Sequence, residues 1–552
     1  MHTRKPRLQG TASQIFTVLL LLSLLLSPLG IIPPAAGAQL LEAIVQANDM
    51  ATAAALVQGV GGTVTHELGI IDAVGARVTL GQLAALSQSD KVILYENRRL
   101  QAAGKPAPDT FYPTLVGADR LHSEGINGEG VTVAVLDTGT LSLVALNKTP
   151  DKEWRVLAQY DAALDELQSD GTYALSTDAS GHGTHVTSII LSSAETAKPV
   201  RYNGIAPYAN QVSIKALDAS GAGNYLDVIR GIDWIVANKD SYGIRVLNLS
   251  LSAPPQSYYW EDPLNQAVMR AWQAGIVVVA AAGNRGPGDM TIGVPGNVPY
   301  VITVGAMTDN YTPVDGTDDL LASFSAAGPT VEGFVKPEVV GPGGHVLGNM
   351  LGTAQIALEH PEFHDGGNYY VMSGTSQATA VVSGIVALML QADPSLTPDE
   401  VKCRLMASAR PAQDDNGDLA YSIFQQGAGV VNAYDAVYST ACGCANQGLN
   451  IDNDLNGMEH YGGTARWDPA SGEYYTVDEY GNLIGDGYVW SGGYVWSGGY
   501  VWSGGYVWSG GYVWSGGYVW SDGYVWSENY VWDPAIVWSQ ATMASNAWVP
   551  QE

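Results

Sequence analysis

Cysteine is scarce in this chain of 552 residues, with three in all, at Cys403, Cys442 and Cys444. That count excludes a small disulfide scaffold, and the Cys442-Gly-Cys444 spacing excludes a Cys-x-x-Cys redox motif. One disulfide tying down the end of a domain is expected; the sequence leaves its pairing open and at least one thiol over. Basic residues are also few: 25 Lys and Arg stand against 54 Asp and Glu, for a formal net charge of −29. Such a field repels nucleic acid and anionic membrane surfaces, so no nucleic-acid partner is expected, and the acidity reads as a means to solubility. Metal-site signatures are missing around His182 and His185, where there is no His-Glu-x-x-His word and no clustered carboxylate to complete a zinc set. Long apolar runs are nearly absent too. The strongest, 15–26, follows Arg4, Lys5 and Arg7 and precedes Ala36-Gly37-Ala38. It is short for a membrane span and small residues follow at cleavage spacing, so 1–38 reads as a signal peptide, with a membrane anchor as the alternative.

The length predicts two to four structural units. Residues 39–105 combine strand-like 40–45, helix-like 50–58 and strand-like 92–95, a small α+β domain, and 101–109 look like an exposed linker. From 110 to 440, continuous apolar runs at 131–136, 211–217, 245–249, 276–280 and 300–304 alternate with helical patterns such as 225–238 and 262–274. Runs of this kind suit strands buried on both faces, so the fold class is α/β with a doubly wound, mostly parallel sheet. Ligands bind beyond the carboxyl ends of such strands, and Asp137 stands at one of these ends.

Three reactive residue types then fall in the order Asp, His, Ser. Asp137 precedes Thr138-Gly139, His182 lies between Gly181 and Gly183, which are expected to leave its ring accessible, and Ser376 sits at a helix start in Ser373-Gly374-Thr375-Ser376-Gln377-Ala378. A serine hydroxyl needs a base to remove its proton, and a carboxylate bonded to the far ring nitrogen fixes the tautomer of that base. Asn284, closing Ala281-Ala-Gly-Asn284, supplies an amide donor for a developing oxyanion, or else serves as a plain turn residue. Taken singly, an Asp, a His or a Ser is more often structural; the joint pattern reverses that. An α/β-hydrolase esterase is disfavoured because Ser376 is not in Gly-x-Ser-x-Gly.

These four words in this order resemble the subtilisin-like serine proteases, the subtilase family, across roughly 39–440. The departures are Gln377 and Ala380 where the family usually has Met and Pro, Thr187-Ser188 where it has Ala-Gly, and Ser252 where Gly is commoner. The resemblance implies a serine endopeptidase with Asp137, His182 and Ser376 catalytic and Asn284 in the oxyanion hole. It further implies a cleft for extended protein or peptide substrates, walled by Ser250, Leu251 and Ser252 on one side and by Ala281, Ala282 and Gly283 on the other. Gly293 would line the base of the main side-chain pocket and admit large apolar residues there, with Arg285 at the rim or simply solvated. Residues 39–105 would be an inhibitory propeptide, against the alternative of an unrelated binding domain. No cofactor is required for the chemistry; structural calcium is left open, since the loop 194–203 offers only Glu195 and a few neutral oxygens.

After Cys444 the composition shifts: 445–552 hold one Arg, no Lys, 12 acidic residues and 11 of the 15 Trp. The reading is a linker at 445–487, Tyr-Val-Trp-Ser-Gly-Gly hexapeptide repeats at 488–538 and a tail at 539–552. An even period places Tyr and Trp on one face of an extended chain, for self-association or for stacking on cell-wall glycans, with disorder as a third outcome. The whole is expected to be secreted, extracellular or attached at the cell surface. The alternative is a surface or adhesion protein with an inactive peptidase domain, acting through its aromatic repeats.

Overall fold

The computed structural model describes residues 40–89, 91–96, 107–196, 201–312, 316, 318–414, 416–477, 483–484 and 542–545. The expected signal peptide and the hexapeptide repeats lie outside them. Two compact units divide the chain, Met1–Lys105 and Pro106–Glu552.

The first unit is built from β1 (Leu40–Gln46), α1 (Met50–Gly59), β2 (Thr63–Leu68), β3 (Ala73–Thr79), α2 (Leu80–Ser87) and β4 (Ile93–Glu96). Alternation along β1 buries Ala43 and Val45 while their neighbours face outward. Asp49 starts α1 by accepting from the Thr52 N–H at 2.7 Å, and Thr79 with Gln82 forms a capping box at α2. The strands pair antiparallel in the order β2-β3-β1-β4, a split β-α-β arrangement with Val45, Val57, Val74, Val78 and Leu86 in its core.

The second unit is organised on a nine-stranded sheet. In chain order its strands are β5 (Thr132–Asp137), β6 (Val156–Asp161), β7 (Glu166–Ser169), β8 (Asn210–Lys215), β10 (Ile244–Leu249), β12 (Val277–Ala281), β13 (Ile302–Thr308), β14 (Leu320–Leu321) and β15 (Val339–Pro342). The spatial order is β14-β13-β12-β10-β5-β8-β6-β7, with β15 also on β13; only β7 and β14 pair antiparallel. Strands β5, β12 and β13 are buried along their whole length, which is why they read as unbroken apolar runs. Packed against the sheet are α3 (His182–Leu191), α4 (Tyr225–Tyr242), α5 (Pro263–Gln273) and α6 (Thr375–Ala392). The apolar α6 is buried from Thr375 through Leu390, so it is the core helix of this unit.

Two short strands outside the sheet, β9 (Ala222–Asn224) and β11 (Leu251–Ser252), flank β21 (Thr542–Ser545) in a separate antiparallel sheet. A hairpin of β16 (Val346–Asn349) and β17 (Tyr369–Met372) leads to the turn before α6. Helix α7 (Pro398–Ser408) carries Cys403, which is bonded to Cys444, and Cys442 is the exposed free thiol.

Beyond Cys444 the expected linker is instead partly ordered. It forms α8 (Ile451–Leu455) and a small sheet of β18 (Ala465–Asp468), β19 (Glu473–Val477) and β20 (Leu483–Ile484). Asp454 on α8 is buried and accepts from Tyr259 Oη at 2.6 Å, Tyr300 Oη at 3.0 Å and His460 Nδ1 at 2.8 Å. Polar composition concealed this because the anchor is itself a carboxylate, held by hydrogen bonds where an apolar anchor was sought.

Candidate active site

Asp137 ends β5, where the strand leaves the sheet through a turn at Thr138-Gly139. Its Oδ1 takes the Thr138 N–H at 2.8 Å and lies 2.7 Å from His182 Nδ1. His182 is the first residue of α3, at 1% exposure, and Asp137 is fully buried. The imidazole is thus enclosed in this structure, contrary to the accessible ring expected from its flanking glycines. Gly183 serves another purpose: a Cβ there would run into the Gly139 carbonyl oxygen, so only glycine lets α3 start against the Asp137 turn.

Asp178 was missed in the sequence. Its carboxylate accepts from Thr138 Oγ1, the Gly181 N–H, the Thr184 N–H and Thr184 Oγ1 at 2.6–2.8 Å, tying the turn after Asp137 to the first turn of α3. An Asp just before a helix start was the available signal. Burial opposes protonation of His182, but the charge and hydrogen bond of Asp137, with Asp178 behind, outweigh it and raise its pKa above the ordinary 6.5. One turn on, His185 bonds the Tyr370 carbonyl and has no carboxylate beside it, and burial pushes it down to about 4.

Ser376 occupies the first turn of α6 at 1% exposure. Its hydroxyl donates to the Ser250 carbonyl at 3.1 Å, and Ser250 Oγ donates back to the Ser376 carbonyl at 2.9 Å. Asn248 Nδ2 donates to Ser250 Oγ and receives Ser383 Oγ on its own Oδ1, so the end of β10 is locked to α6. Thr375 was also missed. Its N–H and Oγ1 donate to Asn284 Oδ1 at 3.0 and 2.9 Å, which turns Asn284 Nδ2 the other way. Three buried polar atoms here lack a hydrogen-bond partner: Asp137 Oδ2, His182 Nε2 and Asn284 Nδ2. An acceptor nitrogen backed by a carboxylate, and an amide donor beside a helix-start serine, suit acyl transfer.

Ser252, Gly283 and Gly293 converge. A Cβ on Gly283 would come 3.5 Å from Ser252 Oγ, and one on Gly293 would fall 2.9 Å from Ser252 Cβ and 3.0 Å from the Ala253 carbonyl oxygen. Gly293 therefore permits two backbones to approach, and Ser252 takes part of the room that its missing side chain was expected to leave. The wall facing β11 also differs from expectation. Ala281 ends β12 and 282–283 follow it, while the strand across from β11 is β9. Arg285 is exposed. Among the described residues, no group of three or more His, Cys, Asp or Glu could hold a metal ion; 197–200 of the loop after α3 lie outside them.

This fold and site define a serine endopeptidase. The subtilase family profile matches residues 128–429, and the chain belongs to the subtilase family. It is 36% identical over 374 residues to the serine protease AprX of Bacillus subtilis, covering 66% of this chain and 79% of that one. Subtilisin DY of Bacillus licheniformis is 32% identical over 320 residues, covering 58% and 94%. Among solved structures, fervidolysin of Fervidobacterium pennivorans, a keratinolytic enzyme related to subtilisin, aligns with a TM-score of 0.46 at 24% identity over 74% of this chain and 62% of that one.

Proposed function

We propose that the protein is an exported endopeptidase made as a precursor, in which Asp137, His182 and Ser376 form the catalytic triad and Asn284 donates to the oxyanion. The observation that carries this reading is the buried 2.7 Å Asp137–His182 bond, which leaves His182 Nε2 as an unpartnered acceptor. Ser376 Oγ turns from the Ser250 carbonyl toward that nitrogen, gives up its proton and attacks the peptide carbonyl carbon. Asn284 Nδ2 and the Ser376 N–H receive the negative oxygen. The C–N bond then breaks, the imidazolium protonates the leaving amine, and water activated by the same nitrogen hydrolyses the ester. Asp137 stays ionised and holds the imidazolium. None of these steps requires a cofactor.

Export is supported by the charged-then-apolar N-terminus, 1–38, and a precursor by the separate unit before the peptidase region. In this reading the first unit is the inhibitory propeptide and the enzyme cuts 101–109 itself. The test is expression of wild type and Ser376→Ala without other proteases, followed by N-terminal sequencing and labelling with a fluorophosphonate. Wild type should label and start near Thr110; Ser376→Ala should do neither. Normal maturation of Ser376→Ala would end the self-processing reading, and absence of labelling in wild type would end the triad.

A further inference from the structure

The segment 445–477, which follows the disulfide at Cys444, grips both loops that frame the candidate side-chain pocket. The two loops meet at one point. Ala253 and Val294 exchange backbone hydrogen bonds at 3.0 and 2.8 Å, next to the convergence of Ser252 with Gly293. From Ala253 the chain runs out through 254–262 to α5, and 285–292 is the path from Asn284 back to Val294. The first loop is held at its outer end by α8 and the residues after it. Tyr259 Oη donates to Asp454 Oδ2 at 2.6 Å and accepts the Tyr461 N–H at 3.2 Å, and the Trp260 ring stacks on His460 with 4.9 Å between centroids and 10° between planes. The second loop is held by β19. Tyr474 Oη donates to Met290 Sδ at 2.8 Å, while its ring packs on Phe424 and Trp467, with centroids 6.2 and 4.8 Å away. Trp467 stands directly opposite Tyr474 on β18, so the hairpin itself orients the ring. Glu332 joins the two grips: its carboxylate accepts the Tyr259 N–H at 2.7 Å and its carbonyl accepts the Gly463 N–H at 2.8 Å.

We propose that 445–477 is a specificity frame for the peptidase unit, in which Tyr474 through Met290, and Asp454 and His460 through Tyr259 and Trp260, fix the width of the pocket between Ser252 and Gly293. Loops with few packed contacts are the least stable parts of a fold, and ordering one on binding subtracts from affinity. With both loops held beforehand, a large apolar side chain enters a pocket whose walls already stand at the right distance. A small side chain touches less of either wall and gains little from the frame. Tyr474 acts through Met290 and is therefore a positioning residue. This inference rests on the endopeptidase reading given under Proposed function.

The experiment measures kcat and KM of full-length wild type, Tyr474→Ala, Tyr474→Phe, Met290→Ala and Trp260→Ala on two peptides that differ only in carrying Phe or Ala before the cut bond. Fluorophosphonate labelling and denaturant unfolding are followed alongside. Tyr474→Ala should raise KM for the Phe peptide about tenfold, and leave KM for the Ala peptide and kcat on both within about twofold. Tyr474→Phe keeps the ring on Phe424 and loses only the bond to Met290, so its Phe-to-Ala ratio of kcat/KM should fall between those of wild type and Tyr474→Ala. Met290→Ala removes the gripped side chain and leaves β18 and β19 intact; it should reproduce the Tyr474→Ala pattern, and it carries the test even where Tyr474→Ala does not fold. Trp260→Ala, at the other grip, should shift the ratio in the same direction. An unchanged ratio in Met290→Ala or in Trp260→Ala, with wild type labelled and active, overturns this inference alone. Equal KM increases on both peptides, accompanied by lost stability, make the hairpin merely structural and overturn it too. Wild type that neither labels nor cuts overturns the endopeptidase reading beneath it.

Discussion

Lys336, Glu338 and Lys402 form a buried cation–anion–cation cluster in the same unit as the Asp137–His182 pair, and the two regions treat their polar atoms in opposite ways. Glu338 Oε1 takes Lys336 Nζ at 2.7 Å and Lys402 Nζ at 2.8 Å, and its Oε2 takes the Thr303 N–H at 2.8 Å. The remaining ammonium protons reach the Val301 carbonyl and Thr303 Oγ1 from Lys336, and the Pro299 and Tyr300 carbonyls and Asn446 Oδ1 from Lys402. Every charge there is satisfied. At the other region Asp137 Oδ2, His182 Nε2 and Asn284 Nδ2 are buried without partners. An unsatisfied buried polar group costs about 1–3 kcal/mol. The complete network is what a fold needs, and the incomplete one is what a site for a transient negative charge needs.

The largest way to test the contrast is Asp137→Asn, which keeps the shape and removes the charge. A turnover loss of about 10⁴ is expected with an unchanged circular dichroism spectrum; a loss under tenfold would break the claim that this pair is functional. The mirror experiment is Glu338→Gln. It leaves two buried lysines facing a neutral amide, one of them, Lys336, already lowered to about 7 by burial, so about 3–5 kcal/mol of stability should vanish in denaturant unfolding, part of it as the cost of deprotonating Lys336, while turnover per folded molecule at low temperature stays as in wild type. Should activity fall and stability hold, the roles of the two regions would be reversed. Next comes Asn284→Ala. It removes the unpartnered Nδ2 together with the Oδ1 that accepts from Thr375, and kcat should drop about 10²–10³-fold with little change in KM.

The two histidines of α3 sharpen the comparison through pH. As the proposed base, His182 would have to be neutral to accept a proton, and its pKa is raised, so the acid limb of kcat/KM should lie above the ordinary histidine value of 6.5. The stability linked to its raised pKa has the opposite direction: it is fully present below the unfolded-state pKa and is lost as pH climbs through the folded one. Asp178→Asn withdraws one of the raising charges, so the acid limb should move down. His185, lowered to about 4, stays neutral throughout this range and its substitution should leave the limb in place. A limb that follows His185 in place of His182 would refute the assignment.

How much was legible in the sequence follows from the same contrast. The strands of the sheet were readable because burial on both faces demands unbroken apolar runs, as in Val277–Ala281. Asp137, His182, Asn284 and Ser376 were readable because each sits in a short word of small residues forced by close backbone approach. What stayed hidden is held by hydrogen bonds between residues far apart in the chain. Asp178 and Thr375 act on their neighbours' orientation, Asp454 anchors a stretch that looked like a linker, and β9 becomes a cleft wall only when β21 lies beside it. Backbone pairing leaves no compositional trace in a three-residue strand such as Ala222–Asn224.

The smallest effect belongs to Arg285, which follows Asn284 in sequence and so stands next to the incomplete network without joining it. It is exposed, and no hydrogen bond or ion pair holds it among the described residues. An unheld guanidinium in water is screened, so its charge should bias the residue before the cut bond toward Glu over Lys by no more than about fivefold at low salt. Arg285→Glu should reverse that bias, and high salt should erase it in both proteins. Ser252 is the competing determinant, since its side chain takes room beside Gly293. Ser252→Gly should widen acceptance of large apolar residues at low and high salt alike, because packing is not screened. A peptide library varied at that one position, run on wild type and both variants at two salt concentrations, separates the two. If the Glu-to-Lys ratio is unmoved by Arg285→Glu at low salt, selection at this position is steric and Ser252 sets it.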